Sequence, residues 1–400
     1  MVGSYRGLFS QPGVKGFVLA GFIARFPISM LGIGIVLLIS ELTDSYATAG
    51  AVAALVNASY ALAAPFSGRL ADRLGQARVI VPVVLFNALA MVALMLSVGF
   101  RLPQWTLYVT ALLVGMTMLS IGSMVRARWS TLHGGSPRLH TAFAFESVAD
   151  EVIFVTGPAA VTLLATYVNP FAGLIVAMVA MVGGSLALAG QRRTQPPIVA
   201  TRAGGRSPIL IPGVALLAVV YLGVGAVFGS VDLITVAFAE ENDAKSAAGF
   251  LLAAFAGGSM VSGLWFGSRT WRISLRGRFV RALGIFAVGL LPIAFVQETW
   301  VMAIALFVAG LAISPTLITG FSLTERMVPQ ALLTEGMAWI STSIGFGVAL
   351  GAWAGGRLAE SFGASNAYGF SLGAALLAVV LGVVGSGLLR TSEVSSPAQS

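Results

Sequence analysis

Gly68-Arg69-Leu70-Ala71-Asp72-Arg73-Leu74-Gly75-Gln76-Ala77-Arg78 is a short polar bend between two apolar runs, residues 47–67 and 79–99. Each run is close to the ~20 residues that cross a bilayer core as an α-helix. The bend carries three arginines and one aspartate, enough charge to hold it out of hydrocarbon. The stretch therefore encodes two membrane helices joined by a tight, basic turn.

The same alternation continues through the 400 residues, of which 57% are hydrophobic and only 10% charged. A soluble chain carries about 25% charged residues, and the mean hydropathy here is +0.93. Apolar runs between charged punctuation give twelve spans, near 16–39, 47–67, 79–99, 105–125, 141–165, 171–190, 210–238, 247–267, 279–297, 300–321, 335–356 and 367–389. The first is too long for a signal-peptide core and no Ala-x-Ala site follows it, so it is expected to stay in the mature chain. The fold class is all-α, multi-pass, with the lipid bilayer as solvent.

Other classes fall away quickly. With no cysteine there is no disulfide framework, thiolate nucleophile or thiolate metal site. His133 and His140 share one polar loop at a spacing that fits no common metal motif. Gly369-Phe370-Ser371-Leu372-Gly373 matches a hydrolase pattern, but it lies inside an apolar span, not at a strand-to-helix elbow. No metal, cofactor, nucleic acid or enzymatic reaction is expected, and the net charge of +8 reads as membrane orientation.

With the N-terminus placed in the cytoplasm, 19 of 23 Lys and Arg fall in or beside inner segments. Arg101, Lys245 and Arg357 fall outside, and Arg25 within the membrane. The acids Glu41, Asp44, Glu240, Glu241, Asp243, Glu298 and Glu360 would be external. Lysine and arginine bias sets orientation, so both termini are expected in the cytoplasm. Arginine outnumbers lysine 21 to 2, a composition of GC-rich bacterial genomes, and the expected location is a bacterial cytoplasmic membrane.

Residues 191–208, with four arginines, three prolines and no acid, read as a linker between halves at 1–190 and 209–400. Glu41-x-x-Asp44 with Ala49-Gly50 recurs as Glu240-x-x-Asp243 with Ala248-Gly249, and Trp105 with Gly115 recurs as Trp300 with Gly310. Each copy is six spans on, so the halves run parallel in the membrane.

The opening bend resembles the G-x-L-A-D-R-x-G-R/K-R/K loop of the major facilitator superfamily and occupies the position between spans 2 and 3 that the family gives it. Two basic positions of that pattern are Gln76 and Ala77 here, and the corresponding second-half loop, Gly267 to Arg272, has Trp271 opposite Asp72. The resemblance implies two six-helix halves rocking about a central site. It also implies that Asp72 and Arg73 clamp the cytoplasmic gate, with Gly68 and Gly75 allowing tight turns. Gly157-Pro158 in span 5 resembles the core of the family's antiporter motif, where proline kinks the helix.

A charge near the bilayer centre costs roughly 2.5–3.5 kcal/mol, so it persists when paired, wetted or useful. Arg25, Glu146, Asp150, Glu151 and Asp232 are the candidates. At 1.5 Å per residue, Arg25 and the pair Asp150 and Glu151 all lie about 14 Å into their spans, which predicts contact. One arginine cannot neutralise two acids, so one of them is left to titrate. Glu146 reads as a structural acid near the inner arginines Arg126, Arg128 and Arg138. Asp232, among Gly223, Gly225 and Gly229, reads equally as part of a gate or as an outer-end charge. Asn57, Tyr60 and Asn87 are polar groups that could bridge helices or face substrate. Trp265, Trp339 and Trp353 pack in the core or line a cavity, and Gly347, Gly351 and Gly355 form a ladder for a close helix.

The function expected is secondary active transport by alternating access, as proton-coupled export of a small, amphipathic or drug-like molecule by a monomer. Metabolite uptake or facilitated diffusion on the same fold is the alternative, and a non-transporting receptor or scaffold the second.

Overall fold

The computed structural model describes residues 2–43, 45–198, 206–244 and 247–389. Asp44, Lys245, Arg202 and the C-terminal tail from residue 390, all used above to assign sides, lie outside the described residues. The first half is built from α1 (Val2–Leu8), α2 (Val14–Thr43), α3 (Tyr46–Leu74), α4 (Gln76–Gly99), α5 (Gln104–Thr117), α6 (Ile121–His133), α7 (Pro137–Tyr167) and α8 (Ala172–Gly190). The second comprises α9 (Pro212–Glu241), α10 (Ala248–Gly267), α11 (Leu275–Leu290), α12 (Thr299–Gly310), α13 (Ile313–Met327), α14 (Leu333–Phe362) and α15 (Ala364–Val384). Twelve segments are long and apolar enough to cross a membrane, and the described residues contain no strand.

Local chemistry sets the helix ends. Gly75 takes φ +88, a left-handed conformation that costs a residue with a Cβ, and its N–H closes on the Ala71 carbonyl at 2.9 Å. Ser136 caps α7 with Pro137 in its first turn, and Ser274 caps α11. The short α1 was not expected. Its Leu8 is fully buried and the neighbouring Phe9 packs edge-on against Phe145 of α7 at 5.3 Å.

The fourth span differs from the sequence reading. It breaks at Met118–Ser120 and then continues as α6 to His133, beyond the expected end near 125. The tenth span breaks likewise between α12 and α13. Both breaks follow a glycine, Gly115 or Gly310, at which a Cβ would run into a neighbouring backbone carbonyl, that of Val56 in α3 or Phe255 in α10. The internal repeat is thus also a repeat of packing.

The ladder glycines of α14 do admit a close helix, and it is α9. A Cβ at Gly347 would collide with the Leu222 carbonyl, and one at Gly351 with that of Ala226. Gly225 and Gly229 reciprocate against Ile344 and Val348, so these two glycines near Asp232 serve close packing. Ser371 of the hydrolase-like pattern is buried, sharing a 2.7 Å hydrogen bond with Ser230.

The end of the molecule that carries the α3–α4 turn and the start of α7 is its basic end. One apolar core runs from the last six spans into the basic end of the first six, through Phe17, Ala71, Trp129 and Phe143. A separate core, including Leu31, Val52, Met91 and Leu107, fills the opposite end of the first six spans.

Candidate functional site

Arg25 is buried, 5% exposed, and bridges both acids of one face of α7. Its guanidinium lies 2.6 Å from Glu146 and 2.6 Å from Asp150. Residues four apart share a helix face, and α7 begins a turn earlier than expected. Glu146 and Asp150 therefore lie about 14 and 20 Å along it, bracketing Arg25 at about 17 Å along α2. The acid unaccounted for by one arginine has a second, because Arg126 of α6 sits 2.6 Å from the other oxygen of Asp150. Trp129 donates to the remaining Glu146 oxygen at 2.7 Å. All four carboxylate oxygens are engaged and the two positive and two negative charges cancel, so α2, α6 and α7 are pinned by a closed ionic cluster.

Glu151 is not part of it. One residue turns an α-helix by about 100°, and Glu151 instead faces the last six spans, against Ser259 of α10 and within reach of Asp232 of α9. Asp232, left open between a gate and an outer charge, is an exposed position of α9 within electrostatic reach of Glu151. Asn57 is exposed, one turn from Ala61, whose carbonyl accepts from Thr342 of α14 at 3.2 Å. Asn87 is buried, donating to the Val114 carbonyl at 2.7 Å and the Thr117 hydroxyl at 2.8 Å, and it ties α4 to α5.

At the basic end the opening bend meets α14. The Asp72 carboxylate accepts from the backbone N–H groups of Thr334 at 3.2 Å and Glu335 at 3.0 Å, a negative charge on a helix N-terminus. Gly68 lies inside α3, not in a turn. Its missing side chain lets the Glu335 backbone approach, since a Cβ there would be 3.0 Å from the Glu335 Cα. The arginine that reaches across is Arg69, 3.5 Å from Glu335, whereas Arg73 is exposed. Ser207, at the end of the expected linker, donates to the other Glu335 oxygen and accepts from Trp339 at 3.2 Å. Gln76, one of the two departures from the family loop, is buried. It accepts from Arg128 at 2.7 Å and donates to the Met124 carbonyl at 3.0 Å.

The matching seam between α7 and α10 uses other chemistry. Thr141 donates to the Gly267 carbonyl at 2.8 Å and the His140 ring bonds the Phe266 carbonyl at 3.0 Å. Trp271, opposite Asp72 in the repeat, packs on Phe266 and Trp265 of its own half. Tyr5 of α1 donates to the Leu264 carbonyl at 3.1 Å, and burial pushes its hydroxyl up to about 12, which keeps it a donor. Arg126 adds a cation–π contact, 4.2 Å over the Phe321 ring of α13. These bonds join the halves at the basic end, and Glu151, Asp232 and Asn57 lie beyond them toward the other end.

Gly157 belongs to helix packing: a Cβ there would overlap the Ser29 hydroxyl of α2, which donates to the Ile153 carbonyl at 3.0 Å just ahead of Pro158. Among the described residues no group of three His, Cys, Asp or Glu could hold a metal.

A bacterial homologue of the iron transporter ferroportin in an outward-facing state superposes with a TM-score of 0.71 at 17% identity, covering 93% of this chain and 99% of its own. The human organic anion transporter MFSD10 (TETRAN) gives 0.71 at 15%, covering 93% and 100%. At such identities the likeness is one of fold. No curated protein matches at the level of sequence. The family model of the Major Facilitator Superfamily matches residues 17–267 and 216–399, which between them take in all twelve spans. The match spans far more than half of the chain, and the chain therefore belongs to this superfamily as a membrane transporter, not an enzyme.

Proposed function

We propose that this transporter exports a small amphipathic molecule in exchange for protons, with Glu151 and Asp232 as the groups that exchange them. The observation that carries this reading is the contrast between the two sets of acids. Glu146 and Asp150 are fully engaged with Arg25, Arg126 and Trp129. Glu151 lies beside Ser259 and within electrostatic reach of Asp150 and Asp232, and neither Glu151 nor Asp232 forms an ion pair among the described residues. Two like charges in a low dielectric favour binding a proton or a cationic group, and release follows when the halves rock and water reaches them. The working unit in this reading is a monomer in a bacterial cytoplasmic membrane, with the basic end and both termini in the cytoplasm. The bodies that rock are residues 1–190 and 209–400, joined by the linker 191–208. Asp72 and Gly68 hold the gate shut, with Arg69 taking the place assigned to Arg73, while Gly75 shapes the turn.

The test uses everted membrane vesicles with an imposed pH gradient and ethidium among a panel of amphipathic dyes. A dye that is transported by the wild type should dissipate the gradient. Glu151→Gln and Asp232→Asn should still bind that dye but lose the proton flux. Unchanged proton flux in both variants would overturn the assignment of the acids, and dye accumulation in intact overexpressing cells would reverse the direction.

A further inference from the structure

A cavity of about 550 Å³ opens at the basic end on the flank of the first six spans, between the start of α4 and the end of α8. Arg78 and Arg192 stand on its rim, both exposed, and no acid is among its lining residues. Its walls include Leu74, Val81, Leu186 and Ile198, which are 46%, 39%, 38% and 48% exposed. Val81 and Leu186 lie deeper along their helices than the two arginines, so the site is basic at its mouth and apolar toward the membrane.

The cavity is a built feature. Its outer wall is the segment Arg192–Ile198, held down by the buried Arg128, which donates to the Gln191 carbonyl at 2.8 Å and the Thr194 hydroxyl at 2.9 Å. The Gln195 side chain accepts from the Ala77 N–H at 2.9 Å, and Ile198 closes over Gly75, where a Cβ would be 3.1 Å from it. These bonds keep the segment from collapsing onto α4 and α8. A basic pocket between spans beside apolar surface is the arrangement that recognises an anionic lipid headgroup. Arginine also offers a fork of donors that matches phosphate.

We propose that this cavity binds an anionic phospholipid from the leaflet at the basic end. Its phosphate sits between Arg78 and Arg192, and its chains run down over Val81 and Leu186. The lipid would then rest against the same turn that carries Asp72 to α14.

Native mass spectrometry of the full chain in detergent tests this, with dioleoylphosphatidylglycerol, dioleoylphosphatidylcholine and sn-glycerol 3-phosphate as probes. The expected result is at least tenfold tighter binding of the glycerol lipid than of the choline lipid. That preference should vanish in an Arg78→Gln, Arg192→Gln double variant and return with lysines at both positions. Leu186→Trp, which fills the apolar part, should weaken binding while leaving both arginines. Arg269→Gln with Arg272→Gln removes the same charge from another loop and should keep the preference. Equal losses in the two glutamine pairs would show a response to net charge alone, and equal affinity for the water-soluble phosphate would show a free-anion site. Either result overturns the proposal.

Discussion

Arg126 shows what a single residue settles. Without it, Arg25 would face Glu146 and Asp150 with one negative charge in excess, and with it the cluster is neutral. Arg126→Ala should leave Glu146 and the partly exposed Asp150 sharing Arg25, one negative charge in excess, at a cost below the roughly 3–5 kcal/mol of breaking a fully buried pair. The expected outcome is a clear fall in the melting temperature of the purified protein, partly reversed by adding Asp150→Asn. A melting temperature equal to wild type would mean the cluster carries no structural weight. The contact of Arg25 with Asp150 was legible in the sequence from equal depths. Arg126 was not, because it was counted with the inner loop, and that rested on ending the fourth span near 125 when α6 runs to His133. Glu146 was misplaced for a related reason, although its spacing of four from Asp150 already put the two on one face. Where the opening bend meets α14, Asp72 was legible as a residue of note and the arginine that accompanies it was not. Arg69 and Arg73 are one helical turn apart, and only the position of α14 decides which reaches Glu335.

Among the elements, the pairing of α9 with α14 is the tightest test of packing. Their glycines place one helix's carbonyls where the other's side chains would be, the small-residue contact that draws helices together in a bilayer. Gly351→Leu must push the Ala226 backbone aside, and its expected outcome is loss of a monodisperse protein in detergent. Gly345→Leu, on a glycine whose Cβ would meet nothing within 4 Å, should be tolerated. Equal behaviour of the two would refute the close approach. The ladder was readable as a spacing, but its partner was not, since several apolar spans could have filled the role. The breaks in the fourth and tenth spans were invisible to hydropathy because the apolar run continues through both. Their trace in the sequence is the recurring glycine, Gly115 and Gly310, whose repetition does not by itself say that a helix must yield there.

For the whole molecule, the proposed orientation, with the basic end in the cytoplasm, makes a prediction. Epitope tags after residue 200 and at the C-terminus should be protected in intact cells, and one after residue 242 accessible to a membrane-impermeant label. Any other pattern breaks the orientation. The proposed gate makes a second prediction at this scale. Asp72→Asn keeps an acceptor but removes the charge that the α14 N-terminus stabilises, a loss of about 1–2 kcal/mol from the closed arrangement. Transport should fall while membrane insertion and yield remain near wild type, and full turnover would remove Asp72 from the gate.

The two seams at that end are joined by unlike means, and the difference has a consequence for how they part. The α3–α14 seam depends on ionised groups, Asp72, Arg69 and Glu335. The α7–α10 seam depends on a hydroxyl, a ring and main-chain carbonyls. Salt screens the part-exposed Arg69 more than the buried Glu335, so dissolved salt weakens the first seam modestly and hardly touches the second. Opening should therefore be lopsided, like a clasp with a magnet on one side and a hook on the other: concentrated electrolyte loosens the magnet first, and the hook becomes the pivot.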